Sequence, residues 1–125
     1  MSEMLNQSFS QSITVTENQT ADKIGSGGLP VFSTPSLIAL MENTAMKMFH
    51  ELTSDLTTVG AEISIKHQKA SKIGAIITCN ATCIETDNRK YTFQLEAKDE
   101  QGDIIGEGIH IRYIVNIEKF ISKLS

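Results

Sequence analysis

The sequence predicts an α+β fold, one long helix packed on an antiparallel sheet. Two observations carry that expectation. Only one stretch has a helical apolar period: Leu37, Ile38, Met41, Ala45, Met48, Phe49 and Leu52 recur at three- and four-residue spacings. From Val59 onward the period falls to two and stays there through four segments. A chain of 125 residues is the length of one ordinary domain, so residues 1–125 are expected to form a single unit.

The elements follow in order. Residues 8–17 carry Ile13 and Val15 in alternation, a first strand. Thr20 to Pro30 is a connector holding Gly25, Gly27 and Gly28. It reads as a turn or lid, because no Gly-Lys-Ser/Thr follows and no buried strand precedes it, as a phosphate loop requires. Ser33 or Thr34 caps the helix and Pro35 suits its first position, where a missing N–H is no loss. The stripe then predicts a helix over residues 35–51, with His50 near its C-terminal end, where a cation suits the dipole.

After Asp55, Val59, Ala61, Ile63 and Ile65 form one apolar face, expected to meet the Leu37, Met41 and Ala45 stripe. Ile73, Ala75, Ile77, Cys79, Ala81 and Cys83 form the next, and Tyr91, Phe93, Leu95 and Ala97 a third. Ile109, Ile111, Tyr113 and Val115 complete the set. Turns at Asp87-Asn88-Arg89 and Asp99 to Asp103 make the four strands an antiparallel meander. Glu118 to Lys123 is a short terminal helix. One helix on a sheet of about five strands leaves surface uncovered, so a homodimer is expected.

Composition narrows the function. An apolar fraction of 40% with 21% charged residues belongs to a globular chain rather than a disordered one. A net charge of −4 and a pI near 5.3 argue against nucleic acid, since neutralising phosphates needs excess Lys and Arg. The longest apolar run, Leu37 to Met41, is five residues, so no membrane span is expected. No basic, apolar leader opens the chain, and the expected location is cytoplasmic. Cys79 and Cys83 lie on one strand about 13 Å apart, too far for a disulfide. They are expected to be buried free thiols, and a four-thiolate metal site is excluded.

Two polar residues intrude on apolar faces. His67 continues the Ile63, Ile65 series, and Glu42 sits at the edge of the helix stripe. A carboxylate and an imidazole aimed into one helix–sheet interface have the makings of acid–base or nucleophilic chemistry. A structural His and a solvated Glu are the plainer reading of the pattern alone. Thr34 lies eight residues before Glu42, roughly 12 Å along a helix, so it acts from another wall or through a partner subunit. His110 and Arg112 share a strand face opposite Ile111 and Tyr113. An ion pair with a Glu of the other subunit is their first reading, with Arg112 also a candidate for holding substrate. Lys66, Lys69 and Lys72 are either a solvated basic turn or a contact for phosphates.

Val31-Phe32-Ser33-Thr34-Pro35, Leu40-Met41-Glu42, Thr58-Val59-Gly60, His67, and Gly106-Glu107-Gly108-Ile109-His110-Ile111-Arg112 with Glu118-Lys119-Phe120 resemble the fluoroacetyl-CoA thioesterase type of the hotdog-fold thioesterases. The resemblance spans nearly the whole chain. It implies a hotdog fold, a sheet wrapped around the helix, and a homodimer with two sites along the subunit interface. It also implies that Thr34, Glu42 and His67 form the catalytic set and that the Gly60 N–H binds the thioester carbonyl, with no metal and no bound cofactor. The aromatic residues that close the pocket of the fluoroacetyl-specific enzyme have no equivalent in Ile24 to Leu29. The expected reaction is therefore hydrolysis of a short- or medium-chain acyl-CoA. The alternatives are a non-catalytic hotdog dimer binding an acyl-CoA or related metabolite, and a dehydratase acting on enoyl thioesters.

Overall fold

A computed structural model describes residues 2–124 of the chain. Its central helix, α2, runs Thr34–Met46, preceded by a short α1 at Ala21–Ile24. Ser33 is the N-cap: its side chain accepts from the Ser36 N–H at 3.1 Å, one of the donors that a helix start leaves free. Thr34 and Pro35 are thus the first two helical residues. Leu37, Leu40, Met41, Thr44 and Ala45 form the buried face. Thr44 is tolerated there because its hydroxyl donates to the Leu40 carbonyl at 2.7 Å and accepts from Gln11 Nε2 at 2.8 Å.

The helix ends five residues before the expected Glu51. Met48 and Phe49 donate to the carbonyls three residues back, Ala45 and Met46, so the last turn tightens and then stops. Phe49 leaves the helix to pack edge-on against Tyr91 and Phe93, at ring separations of 4.9 and 5.8 Å. The apolar spacing continues past the end because Phe49 and Leu52 serve the same core from a loop. His50 is therefore outside the helix and exposed, not at its dipole.

The strands are β1 (Ser8–Thr14), β2 (Leu56–His67), β3 (Ile76–Asp87), β4 (Lys90–Lys98) and β5 (Ile104–Asn116), followed by α3 (Ile117–Ser122). They form one antiparallel sheet in the order β1-β3-β4-β5-β2. The expected four-strand meander is thus a three-strand one. β2 lies beyond β5, because residues 68–75 form a crossing connection rather than a hairpin turn. The core between sheet and α2 holds Ile77, Cys79, Ala81, Cys83, Tyr91, Phe93, Leu95 and Ala97, all as the alternation predicts. Ile73 is the exception, exposed before β3 begins. Both cysteines are free and buried.

β2 departs from simple alternation. Gly60 pairs with Arg112 and Glu62 with Ile111, leaving Ala61 as an extra residue, a β-bulge. The bulge reverses the phase. Ile63, Ile65 and His67 keep the face toward α2, but upstream of the bulge that face passes to Thr58 and Gly60. Val59 pairs with exposed Tyr113 on the outer side, and Ala61 is exposed, so neither meets the helix stripe as expected. On β5 the buried residues are Ile105, Gly106, His110, Arg112 and Ile114, while Ile109 and Tyr113 are 42% and 38% exposed. The polar pair faces inward beside Ile114, and Ile109 and Tyr113, expected on the core side, turn outward.

Candidate active site

The site residues fall into two groups. At the start of α2, Thr34 Oγ1 lies 2.8 Å from His67 Nδ1, the last residue of β2. Ser33 caps the helix in its own right, which leaves the Thr34 hydroxyl free for the imidazole. Phe32, buried, meets the His67 ring edge-on at 6.5 Å. The other ring nitrogen, His67 Nε2, is buried and has no hydrogen-bond partner among the described residues. These residues open onto a groove of about 520 Å³ lined by Val31, Phe32, Thr34, His67, Gln68 and Lys69, among others.

The second group lies further along α2. A Cβ placed on Gly60 would meet Glu42 Oε2 at 2.9 Å, His110 Cε1 at 3.1 Å and Arg112 Nη1 at 3.3 Å. Gly60 thus makes room for three polar side chains converging from α2 and β5. Arg112 is held firmly: Nε donates to Thr58 Oγ1 at 2.9 Å and Nη2 to the Thr58 carbonyl at 3.1 Å. Its Nη1 lies 3.1 Å from His110 Nε2, and His110 Nδ1 lies 2.8 Å from the Glu62 carbonyl at the bulge. In the same chain, Glu42 is the carboxylate whose charge acts on Arg112, without an ion pair between them among the described residues. Within one chain Gly60 and His67 are about 20 Å apart along β2, so Glu42 and His67 do not meet.

Lys69 is not free for phosphates. It pairs with Asp99 and Asp103, each at 2.7 Å, and donates to Gln101 at 3.1 Å. Lys66 and Lys72 are exposed. The convergence of His110 and Arg112 on Glu42 is what sequence reasoning missed. The available signal was the run of Gly106, Gly108, His110 and Arg112 at alternate positions, small then polar, on one face of β5.

Burial holds both inner imidazoles below the ordinary value of 6.5, and for His110 the nearby Arg112 charge adds to the effect. Unfolding frees these rings to protonate, so the unfolded chain binds more protons below pH 6.5. Their contribution to stability is present above 6.5 and is lost as pH falls through their folded-state values. The melting temperature should be level from about pH 8 to 7 and decline below about 6.5, less steeply in His110→Gln. A calorimetric series with no such decline would show that these rings are not kept neutral by the fold.

An antiparallel sheet wrapped around one helix is the hotdog arrangement. A hot-dog-like protein from Thermanaerovibrio acidaminovorans matches with a TM-score of 0.87 at 16% identity, over 98% of this chain and 92% of that one. A thioesterase superfamily member from Thermus thermophilus matches at 0.86 and 21% identity, over 96% and 91%. Both establish the fold. The fluoroacetyl-CoA thioesterase FlK matches at 0.89 and 25% identity, over 96% and 93%. The sequence model of the fluoroacetyl-CoA-specific thioesterase family matches residues 15–118, and this chain belongs to that family. The fluoroacetyl-CoA thioesterase of Streptantibioticus cattleyicolor is 30% identical over 95 residues, 75% of this chain and 68% of that protein. The chain is accordingly an acyl-CoA thioesterase.

Proposed function

We propose that the chain hydrolyses a short- or medium-chain acyl-CoA at a site built from two copies, Thr34 and His67 of one facing Glu42 and Gly60 of the other. The observation that carries this reading is the split of the site: a buried, unpartnered His67 nitrogen at one end of β2 and a converged carboxylate at the other. β2 is an edge strand, whose outward backbone groups are open to a second copy. A twofold, antiparallel apposition of two such edges brings opposite ends of β2 together. Free thiols suit the reducing cytoplasm, where we place the protein.

A thioester carbonyl is electrophilic without a metal. Two routes use the groups at hand. In one, Glu42 attacks the carbonyl carbon, the C–S bond breaks, and water cleaves the resulting anhydride with His67 handling the proton. In the other, Glu42 takes a proton from water as it attacks. In both, the Gly60 N–H stabilises the developing oxyanion, and either route ends in free acid and CoA. The relatives' names specify fluoroacetyl-CoA. Ile24 to Leu29, free of aromatic residues and exposed, supports a less selective pocket here.

Acyl-CoAs of increasing chain length, assayed by release of the thiol, should give the highest kcat/KM for short or medium chains, from a protein that scatters light as a dimer. Binding of acyl-CoAs without hydrolysis of any would make the chain a sequestering protein instead. A monomer with full activity would remove the two-copy site.

A further inference from the structure

His110 is wholly buried and outside the set of residues that carry the reaction, yet its geometry is fully determined. A guanidinium nitrogen only donates, so His110 Nε2, 3.1 Å from Arg112 Nη1, must accept. The ring proton therefore sits on Nδ1, which donates to the Glu62 carbonyl at 2.8 Å. One neutral tautomer thus ties two things together: the β-bulge that follows Gly60, and the guanidinium that faces Glu42 across it.

We propose that His110 is a positioning residue, a neutral imidazole that locks Arg112 and the Gly60–Glu62 bulge in register, so that the Glu42 carboxylate is aimed for reaction. The inference rests on the reading of Glu42 and Gly60 as parts of the active site. The groups that face His110 support it. Arg112 and Glu42 are the charges acting on its ring, and Arg112 is pinned on its far side by both Thr58 contacts. The one guanidinium nitrogen that Thr58 does not hold is Nη1, which His110 holds. Without the imidazole, Arg112 keeps its anchor but not its orientation about that anchor.

The test separates acceptor from donor. In His110→Gln the side-chain oxygen reaches the Nε2 position and still accepts from Arg112. In His110→Asn the amide reaches only the Nδ1 position and serves the Glu62 carbonyl alone. We expect His110→Gln to keep kcat within about threefold of the parent, and His110→Asn to lose at least about tenfold in kcat with KM little changed. In an Arg112→Gln background, His110→Asn should cost less than about twofold more, since its partner is already gone. Equal losses in the two His110 variants, or an undiminished loss in the Arg112→Gln background, would reduce His110 to a packing residue. Should the Asn variant fail to fold, imidazole ¹⁵N shifts of the unaltered protein decide. A neutral Nδ1–H ring at pH 7 supports the proposal, and an imidazolium or an Nε2–H ring overturns it. Glu42→Gln assayed alongside keeps the two readings apart. If it is inactive while both His110 variants turn over normally, only the His110 role fails, and if it is fully active the carboxylate reading fails first.

Discussion

Glu42→Ala and His67→Ala should each lower kcat/KM by on the order of 10²-fold or more, the usual loss for a general base or nucleophile. Acyl-CoA should still bind both variants, because neither side chain is asked to hold the coenzyme. Thr34→Ala should cost less. Its hydroxyl makes one hydrogen bond to His67 Nδ1, at 2.8 Å, which orients the ring for roughly 1 kcal/mol. Because the proposed site joins groups from two copies, mixing the Glu42→Ala and His67→Ala proteins is the sharper measurement. Mixed dimers contain one site with neither defect, so activity should return on mixing. Persistent inactivity in verified mixed dimers would place both residues in one subunit's site. A single turnover in ¹⁸O-water then separates the routes. Label in the peptide bearing Glu42 marks an anhydride opened at the Glu42 carbonyl, and unlabelled peptide favours general-base attack.

Gly108→Ala should destabilise the protein by about 3 kcal/mol, the upper part of the range for overpacking. A Cβ there would lie 2.2 Å from the Ser64 carbonyl oxygen and 2.8 Å from the Ile65 Cα, both backbone atoms of β2. A flexible side chain would move aside at small cost. A strand moves only by leaving its ladder with β5, where Gly108 pairs with Ile65. Gly28→Ala is the control: nothing lies within 4 Å of its added carbon, and the change should stay within about 0.5 kcal/mol. Urea unfolding of the two variants beside the parent measures the difference. An unchanged midpoint for Gly108→Ala would mean that β2 and β5 lie further apart than described.

The parts of the fold legible in the sequence were those governed by local rules. The turn at Asp87-Asn88-Arg89, the buried faces of β3 and β4, and the start of α2 each depend on neighbours within a few residues. The end of α2 was not legible, because Phe49 and Leu52 keep helical spacing while packing from a loop. Nor was the partner of β2, since alternation says which residues share a face but not which strand lies alongside. At the site, Glu42 and His67 stood out as polar residues on apolar faces, and Thr34 was rightly kept away from Glu42 by helix length. The pairing of Thr34 with His67 needed three dimensions. So did the inward turn of His110 and Arg112, because beside them on β5 Ile109 and Tyr113 face outward, against the usual rule that apolar residues point to the core.

The extra residue at Ala61 has a consequence for how β2 tolerates change. It divides the strand into two reading frames, one ending at Gly60 and one beginning at Glu62. A substitution in either half alters one side chain. Removing Ala61 itself joins the frames into one regular alternation that keeps Thr58, Gly60, Ile63, Ile65 and His67 on the inner face, whereas removing a residue within either half puts the residues beyond it on the wrong face. The strand therefore has one position where a residue can be lost without changing its faces, and alignments that place the gap elsewhere in β2 will exchange its inner and outer residues.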